Sequence, residues 1–377
     1  MAPLPADGGP ASFDRDLDAS LWQAGFDELP GWCADDMFEA FSAFRRTANH
    51  VIDRGMELRA CRSPSKALIA TFRAATKREG DRIFDPRLFF EANFTPWEIG
   101  RNQEAFFTGY FEPEFEGSME RSSRFQVPIL RRPRGLVTLA QGERVPTCDL
   151  PLTSAISNGK RLLPCPDRAA IEAGALSAQG LELIWLEDRA AVFIVQVQGS
   201  ARVLLPDGMS IRLRYAGRNG WPYTSIGRLL IERGAIAAQA MSLEALMGWL
   251  RAHPAEGEAL MRENRSYVFF ERADSLKPQD GPIGGAGVSL TAGRSIAIDR
   301  GIWSYGLPYF IDVERPALDA RLDRWQRLMI AQDTGSAIVG QARVDIFFGS
   351  GAEAGRLAGR QRHHGRLFVL LPRSLEH

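Results

Sequence analysis

The sequence predicts an α+β protein with one closed β-barrel toward its C-terminal end and a second β unit inserted near its middle. Three observations carry that reading. Helical periodicity is confined to an early stretch and a middle one, period-two alternation occupies much of the rest, and the strands after residue 280 follow one another without regular intervening helices. A doubly wound fold would need strand and helix to alternate, and an all-β sandwich would leave the helical N-terminal third without a purpose. At roughly 150 residues per domain, 377 residues make two domains or one with a large insertion.

Residues 35–78 place Met37, Phe38, Phe41, Phe44, Val51 and Ile52, then Leu68, Ile69, Phe72 and Ala75, at steps of three and four, which predicts helices. From Phe106 the period becomes two, with Phe107, Gly109 and Phe111 in one register and Thr108, Tyr110 and Glu112 in the other. Residues 191–200, 201–205 and 211–215 read as successive strands, the last two joined as a hairpin through Pro206-Asp207-Gly208. Residues 224–233, ended by Gly234, and 242–251, with Ser242 as N-cap, read as helices. Short strands are expected at 267–271, 287–290, 295–299, 309–313, 327–332, 343–348 and 366–371, at the turn-rich spacing of a barrel.

Composition excludes several classes. Lys plus Arg number 46 and Asp plus Glu number 46, so neither a nucleic-acid coat nor an acidic tail is implied. With 45% hydrophobic and 24% charged residues the chain is globular, and no apolar run approaches the roughly 18 residues of a membrane span. Residues 1–11 read as a disordered tail rather than a signal peptide, and Leu375-Glu376-His377 reads like the start of a vector-encoded histidine tag. Cys33, Cys61, Cys148 and Cys165 show no C-x-x-C spacing, so no metal is expected; Cys33 with Cys61 and Cys148 with Cys165 fit disulfides and buried free thiols equally well.

Nucleotide-binding, serine-hydrolase and zinc-protease motifs are absent, and the five histidines offer thin material for nucleophilic catalysis, which leaves carboxylates. Asp345 sits in Gln341-Ala342-Arg343-Val344-Asp345-Ile346-Phe347-Phe348-Gly349, a run that wants a strand which Asp disfavours. A carboxyl among apolar neighbours has its pKa raised and suits a general acid; an Asp at a bulge, or paired with Arg343, fits equally. Asp333, before Thr334-Gly335-Ser336, looks first like an ordinary turn residue. Tyr110, Gln196, Gln198, Tyr215, Asn219, Trp221 and Tyr223 combine planar faces with hydrogen-bonding edges, the mixture a sugar ring needs.

The strings Phe107-Thr108-Gly109-Tyr110-Phe111-Glu112-Pro113, Gln196-Val197-Gln198-Gly199-Ser200, Tyr215-Ala216-Gly217-Arg218-Asn219-Gly220-Trp221-Pro222-Tyr223-Thr224-Ser225-Ile226-Gly227 and Ala331-Gln332-Asp333-Thr334-Gly335-Ser336-Ala337-Ile338, with 341–349, together resemble the membrane-bound lytic murein transglycosylase A family over about residues 100–371. The resemblance implies a double-psi β-barrel catalytic domain from 12–108 and 273–374, with an inserted β domain, 109–272, forming the other wall of a glycan groove. It implies cleavage of peptidoglycan between N-acetylmuramic acid and N-acetylglucosamine without water, leaving 1,6-anhydromuramoyl ends. By motif match it puts the chemistry on Asp345, assistance on Asp333, and substrate contacts on Thr108, Tyr110, Gln198, Ser200, Thr334 and Ser336. The run Ala342-Arg343-Val344 before the aspartate is one residue longer than in the family, which a local bulge accommodates. No cofactor or nucleic acid is implied. A periplasmic location follows, with a lipid anchor on the outer membrane in the precursor and other cell-wall enzymes as partners.

A single carboxyl suffices for that reaction because the substrate's own hydroxyl is the nucleophile, whereas an ordinary glycosidase needs two. Two rivals share the same residues: a muramidase using Asp333 and Asp345 on a water, and a glycan-binding module without catalysis.

Overall fold

The computed structural model describes residues 21–373 apart from 54, 56, 58, 79–83, 101–104, 141, 275, 277–279 and 318–320. The expected tail at 1–11 and tag at 375–377 lie outside the described residues. Contacts divide the chain into two compact units, the first made of residues 1–111, 279–349 and 357–377 and the second of 112–278 and 350–356.

The first unit begins with a short strand β1 (Leu21–Gln23) and three helices, α1 (Phe38–Ile52), α2 (Lys66–Thr76) and α3 (Pro86–Asn93). Each helix forms for local reasons. In α1 the buried Ala40, Phe41, Phe44, Thr47 and Ala48 recur at helical steps, α2 is capped by Ser65 Oγ accepting from Leu68 N at 3.1 Å, and α3 has Asp85 as its cap and Pro86 at its first turn. The rings of Phe44, Phe72, Phe90 and Phe94 meet there, Phe44 to Phe72 at 5.3 Å between centroids. Strands β2 (Phe94–Ile99) and β3 (Ala105–Glu112) follow.

The second unit holds β4 (Glu114–Ser118), β5 (Val127–Leu130), β6 (Leu136–Thr138), β7 (Ser154–Ser157), β8 (Leu162–Leu163), α4 (Arg168–Glu172), β9 (Glu182–Leu186), α5 (Arg189–Gln198), β10 (Ser200–Leu204), β11 (Ser210–Arg218), α6 (Ile226–Glu232), α7 (Leu243–Ala252), α8 (Pro254–Glu263) and β12 (Val268–Arg272). Its main sheet runs β12-β11-β10-β4-β9-β5, beside a small sheet β6-β7-β8. The β10–β11 hairpin forms as expected, and Ser242 caps α7 by accepting from Ala245 N at 3.1 Å.

Residues 191–200, expected as a strand, are instead the helix α5 up to Gln198. Asp188 Oδ1 accepts from Ala191 N at 2.6 Å to start it, and Gly199 ends it at φ 79°, a left-handed turn few other residues tolerate. Its apolar run has no alternation because both sides are covered: Ala191, Val192 and Val195 pack into one core while Phe193 and Ile194 pack into another. Four further helices, α3, α4, α8 and α9 (Gly351–Arg360), were not legible in the sequence pattern, and residues 287–290 form a bend with one isolated bridge, Ile283 to Ser289, rather than a strand.

The chain closes the first unit with β13 (Ser295–Ala297), β14 (Pro308–Pro316), β15 (Leu322–Asp333), β16 (Arg343–Ser350) and β17 (Arg362–Pro372). The neighbours β17-β14-β15-β13-β16-β3 return to β17, which pairs with β3 from Arg362↔Thr108 to Gly365↔Ala105. That ring is a closed six-stranded barrel, so none of its strands presents an edge. Ile296, Phe310, Leu328, Ile330, Ile346 and Phe368 are buried in its core. None of the four cysteines is bonded to another: Cys165 is buried, and Cys61 Sγ lies 2.8 Å from Trp303 O. Among the described residues no helix is long and apolar enough to cross a membrane.

Candidate active site

Barrel register brings Asp333 and Asp345 to one level. Ala297 on β13 pairs with Asp333 on β15 to one side and with Asp345 on β16 to the other, so the two backbone positions are two strand spacings, roughly 10 Å, apart. The neighbouring pair Ile296↔Ile346 is buried in the core, and the alternation of a strand turns Asp345 to the opposite face. A register shift between Ile296 and Ala297 against β15 lets Asp333 end its strand level with Ala297.

Asp345 is partly exposed and its environment is asymmetric. Thr108 Oγ1, from β3, donates to its Oδ1 at 2.5 Å, and Arg343 Nη2 donates to Thr108 Oγ1 at 2.7 Å. Arg343 also donates to Val344 O at 2.6 Å and lies 5.1 Å from the Phe106 ring centroid, so its guanidinium is held on three sides. Desolvation pushes the Asp345 pKa up to about 6, from 3.8; the Thr108 hydrogen bond and the Arg343 charge pull it down, and the charge of Asp333 pushes it up again. Burial is the largest of these causes and decides the direction.

Asp333 is fixed by backbone. Its Oδ1 accepts from Gly285 N and Thr334 N, both at 2.8 Å. Gly285 has to be glycine: a Cβ there would fall 2.4 Å from the Tyr305 hydroxyl. Arg59 closes the turn by donating to Thr334 O, and Tyr305 donates to Arg59 O at 3.0 Å. Tyr110, which interacts electrostatically with both carboxyls, has its ring 5.3 Å from that of Phe347 and its hydroxyl oxygen buried. Desolvation, followed by the charges of Asp333 and Asp345, raises its phenol well above the ordinary tyrosine value, so it stays protonated.

Of the eight expected site residues, six lie in the first unit. Asp345, Thr108, Tyr110 and Asp333 form one cluster. Thr334 is buried and donates its hydroxyl to Ile298 O at 2.9 Å, which holds the turn, and Ser336 is exposed two residues on. Gln198 at the end of α5 and Ser200, buried at the start of β10, belong to the second unit. Of the amides and aromatics read as sugar-facing, Asn219 and Trp221 are scaffold: Asn219 is fully buried and bridges Pro166 O, Arg265 O and Tyr267 N, while Trp221 donates to Cys165 O. Arg59, Tyr305 and Gly285 were not found from sequence because they come from separate loops with no motif. Arg343 was visible only as a possible partner of Asp345.

Two family models match the chain, an MltA specific insert domain over residues 106–271 and a 3D domain over 294–371. A curated relative, membrane-bound lytic murein transglycosylase A of Vibrio cholerae serotype O1, is 36% identical over 271 residues, covering 70% of this chain; the chain spans 64% of that relative's length. Among solved structures, a membrane-bound lytic murein transglycosylase from Agrobacterium tumefaciens superposes with a TM-score of 0.82 at 37% identity, over 94% of this chain and 98% of that one. E. coli MltA with bound chitohexaose superposes at 0.66 with 28% identity, over 89% of this chain and 90% of that one. Matches of that extent, carrying the barrel and the insert together, make the chain a member of the membrane-bound lytic murein transglycosylase A family.

Proposed function

We propose that the protein is a peptidoglycan lytic transglycosylase that cleaves the β-1,4 bond between N-acetylmuramic acid and N-acetylglucosamine and leaves 1,6-anhydromuramoyl ends. The observation that carries the reading is a single partly exposed carboxyl, Asp345, whose pKa is raised to about 6 beside a second carboxyl anchored by backbone. A group titrating there is populated in both forms near neutral pH, as a residue that acts as acid and then as base requires. Protonated Asp345 donates to the glycosidic oxygen as the bond to C1 breaks. The carboxylate so formed takes the proton of the C6 hydroxyl as O6 closes on C1, which restores the acid and consumes no water. Asp333 lends negative charge to the cationic sugar, and Tyr110, under the influence of both carboxyls, stays a neutral phenol.

A glycan substrate is supported by the chitohexaose carried by a related MltA structure. Thr108, Tyr110, Thr334 and Ser336 around the barrel site, and Gln198 and Ser200 in the second unit, are assigned to substrate by motif. The domain assignment is likewise ours: 12–108 and 273–374 as catalytic barrel, 109–272 as insert, supported by the two compact units and the spans of the family models. The same reading puts the protein in the cell envelope, in the periplasm and attached to the outer membrane by a lipid, where other cell-wall enzymes are its neighbours; the name of the Vibrio cholerae relative supports the membrane association.

Purified glycan strands digested with the enzyme test the claim by mass spectrometry. Anhydro ends are expected. Reducing ends one water heavier would make it a muramidase using Asp333 and Asp345, and no soluble product at all would make it a binding module.

A further inference from the structure

We propose that Arg343 is a positioning residue: acting through the Thr108 hydroxyl, it holds Asp345 Oδ1 as a permanent acceptor and thereby makes Oδ2 the oxygen that carries and returns the proton. This rests on the transglycosylase reading for its consequence but not for its geometry. A guanidinium only donates, so the 2.7 Å contact from Arg343 Nη2 occupies a lone pair of Thr108 Oγ1. The hydroxyl has one proton, and the acceptor in reach of it is Asp345 Oδ1, at 2.5 Å. If Oδ1 held the acid proton instead, the two hydrogens would face each other or the Thr108 proton would lose its acceptor. Among the described residues, Oδ2 takes part in no hydrogen bond, so the proton has an oxygen that nothing else uses.

The arrangement also resolves a conflict between two needs. A direct ion pair with Arg343 would hold Asp345 ionised and cost the enzyme its acid. Passing the interaction through a neutral hydroxyl keeps the orientation while weakening the charge effect, and desolvation is left as the dominant influence on Asp345. Arg343 is suited to this because Val344 O and the Phe106 ring hold its guanidinium. The groups facing Asp345 are then Thr108 and Tyr110 from β3, Arg343 from its own strand and Asp333 from β15, with Arg59 farther off beside Thr334. Asp333 and Arg343 act in opposite directions, so removing Arg343 takes away one of the two influences that oppose Asp333, the other being the Thr108 hydrogen bond.

Arg343→Met, Arg343→Lys, Thr108→Val and the Met–Val double variant test the chain of donors, with kcat and KM on glycan strands and a direct NMR titration of the Asp345 carboxyl in labelled protein. Arg343→Met is expected to lower kcat roughly 10- to 100-fold with KM little changed, because the carboxyl is free to turn away from the bond it must protonate. The carboxyl midpoint is expected to rise by about one pH unit, and Thr108→Val to match it. The double variant should lose no more than the worse single one, and Arg343→Lys should recover part of kcat. An unmoved midpoint in Arg343→Met, or losses that multiply in the double variant, would overturn the proposal. The titration stands apart from the products: a wild-type enzyme that makes no anhydro ends sinks the functional reading, while a shifted midpoint would still support the Arg343–Thr108–Asp345 coupling.

Discussion

Two desolvated carboxyls, one in each unit, show why a raised pKa alone does not suit a carboxyl to the proposed acid role. Glu112 in the second unit and Asp345 in the first both have pKa values raised chiefly by desolvation. Glu112 is fully buried, and its oxygens are consumed: Arg212 Nε lies 2.8 Å from Oε1, Ser350 Oγ donates to Oε2 at 2.6 Å, and Arg202 stands 3.9 Å away. Asp345 is partly open and meets its arginine only through a hydroxyl. Glu112 is thus a structural clasp, whereas Asp345 keeps the freedom that the proposed reagent needs, although both come from strands of similar composition. Ser350 and Glu112 are hydrogen-bond partners, each supplying what the other requires.

The contrast is sharpest in activity. Asp345→Asn should reduce release of soluble fragments from cell-wall sacculi by roughly 10²- to 10⁴-fold, the usual worth of general acid–base catalysis, while Glu112→Gln should leave kcat of the folded fraction unchanged. Equal losses in the two variants would erase the distinction. In stability the order reverses. Glu112→Gln strips a buried arginine of its charge partner and is expected to cost about 3–5 kcal/mol in denaturant unfolding. Asp345→Asn should cost nothing above neutral pH.

A pH series sharpens the comparison further. Asp345 binds its proton more tightly in the folded state than in the unfolded one, so its contribution to stability is complete below the ordinary carboxylate value of 3.8 and is lost as pH rises through about 6. The Asp345→Asn variant is therefore expected to match the parent in unfolding free energy below pH 3.8 and to exceed it above pH 6; the reverse order would mean that Asp345 is ionised and stabilising. Over the same window kcat/KM of the parent should fall as the acid form disappears. The smallest effect belongs to Ser336→Ala at the exposed end of the turn, expected within about 0.5 kcal/mol in unfolding free energy.

How much of this could be read beforehand depends on the range of the forces involved. The helices 38–52 and 66–76, the hairpin through Pro206-Asp207-Gly208 and the cap at Ser242 rest on neighbours a few residues away, and they formed as the pattern predicted. The run 189–198 defeated the pattern because its two faces are both buried, which erases the periodicity on which any such reading depends. Asp345 announced itself by breaking a strand preference, whereas Asp333 looked like a turn residue and became a candidate site residue only when Gly285, from a distant loop, gave it a backbone donor.

What the sequence determined by itself was the fold class and the identity of the residues able to do acid–base chemistry, because side-chain type and local periodicity are intrinsic to the chain. The tertiary structure alone decided the environment of each carboxyl, and with it which one we propose as the reagent. That choice turns on desolvation, on a two-strand register through Ala297, and on a hydroxyl from a strand 237 positions away standing between Arg343 and Asp345. These are properties of the space that folding creates.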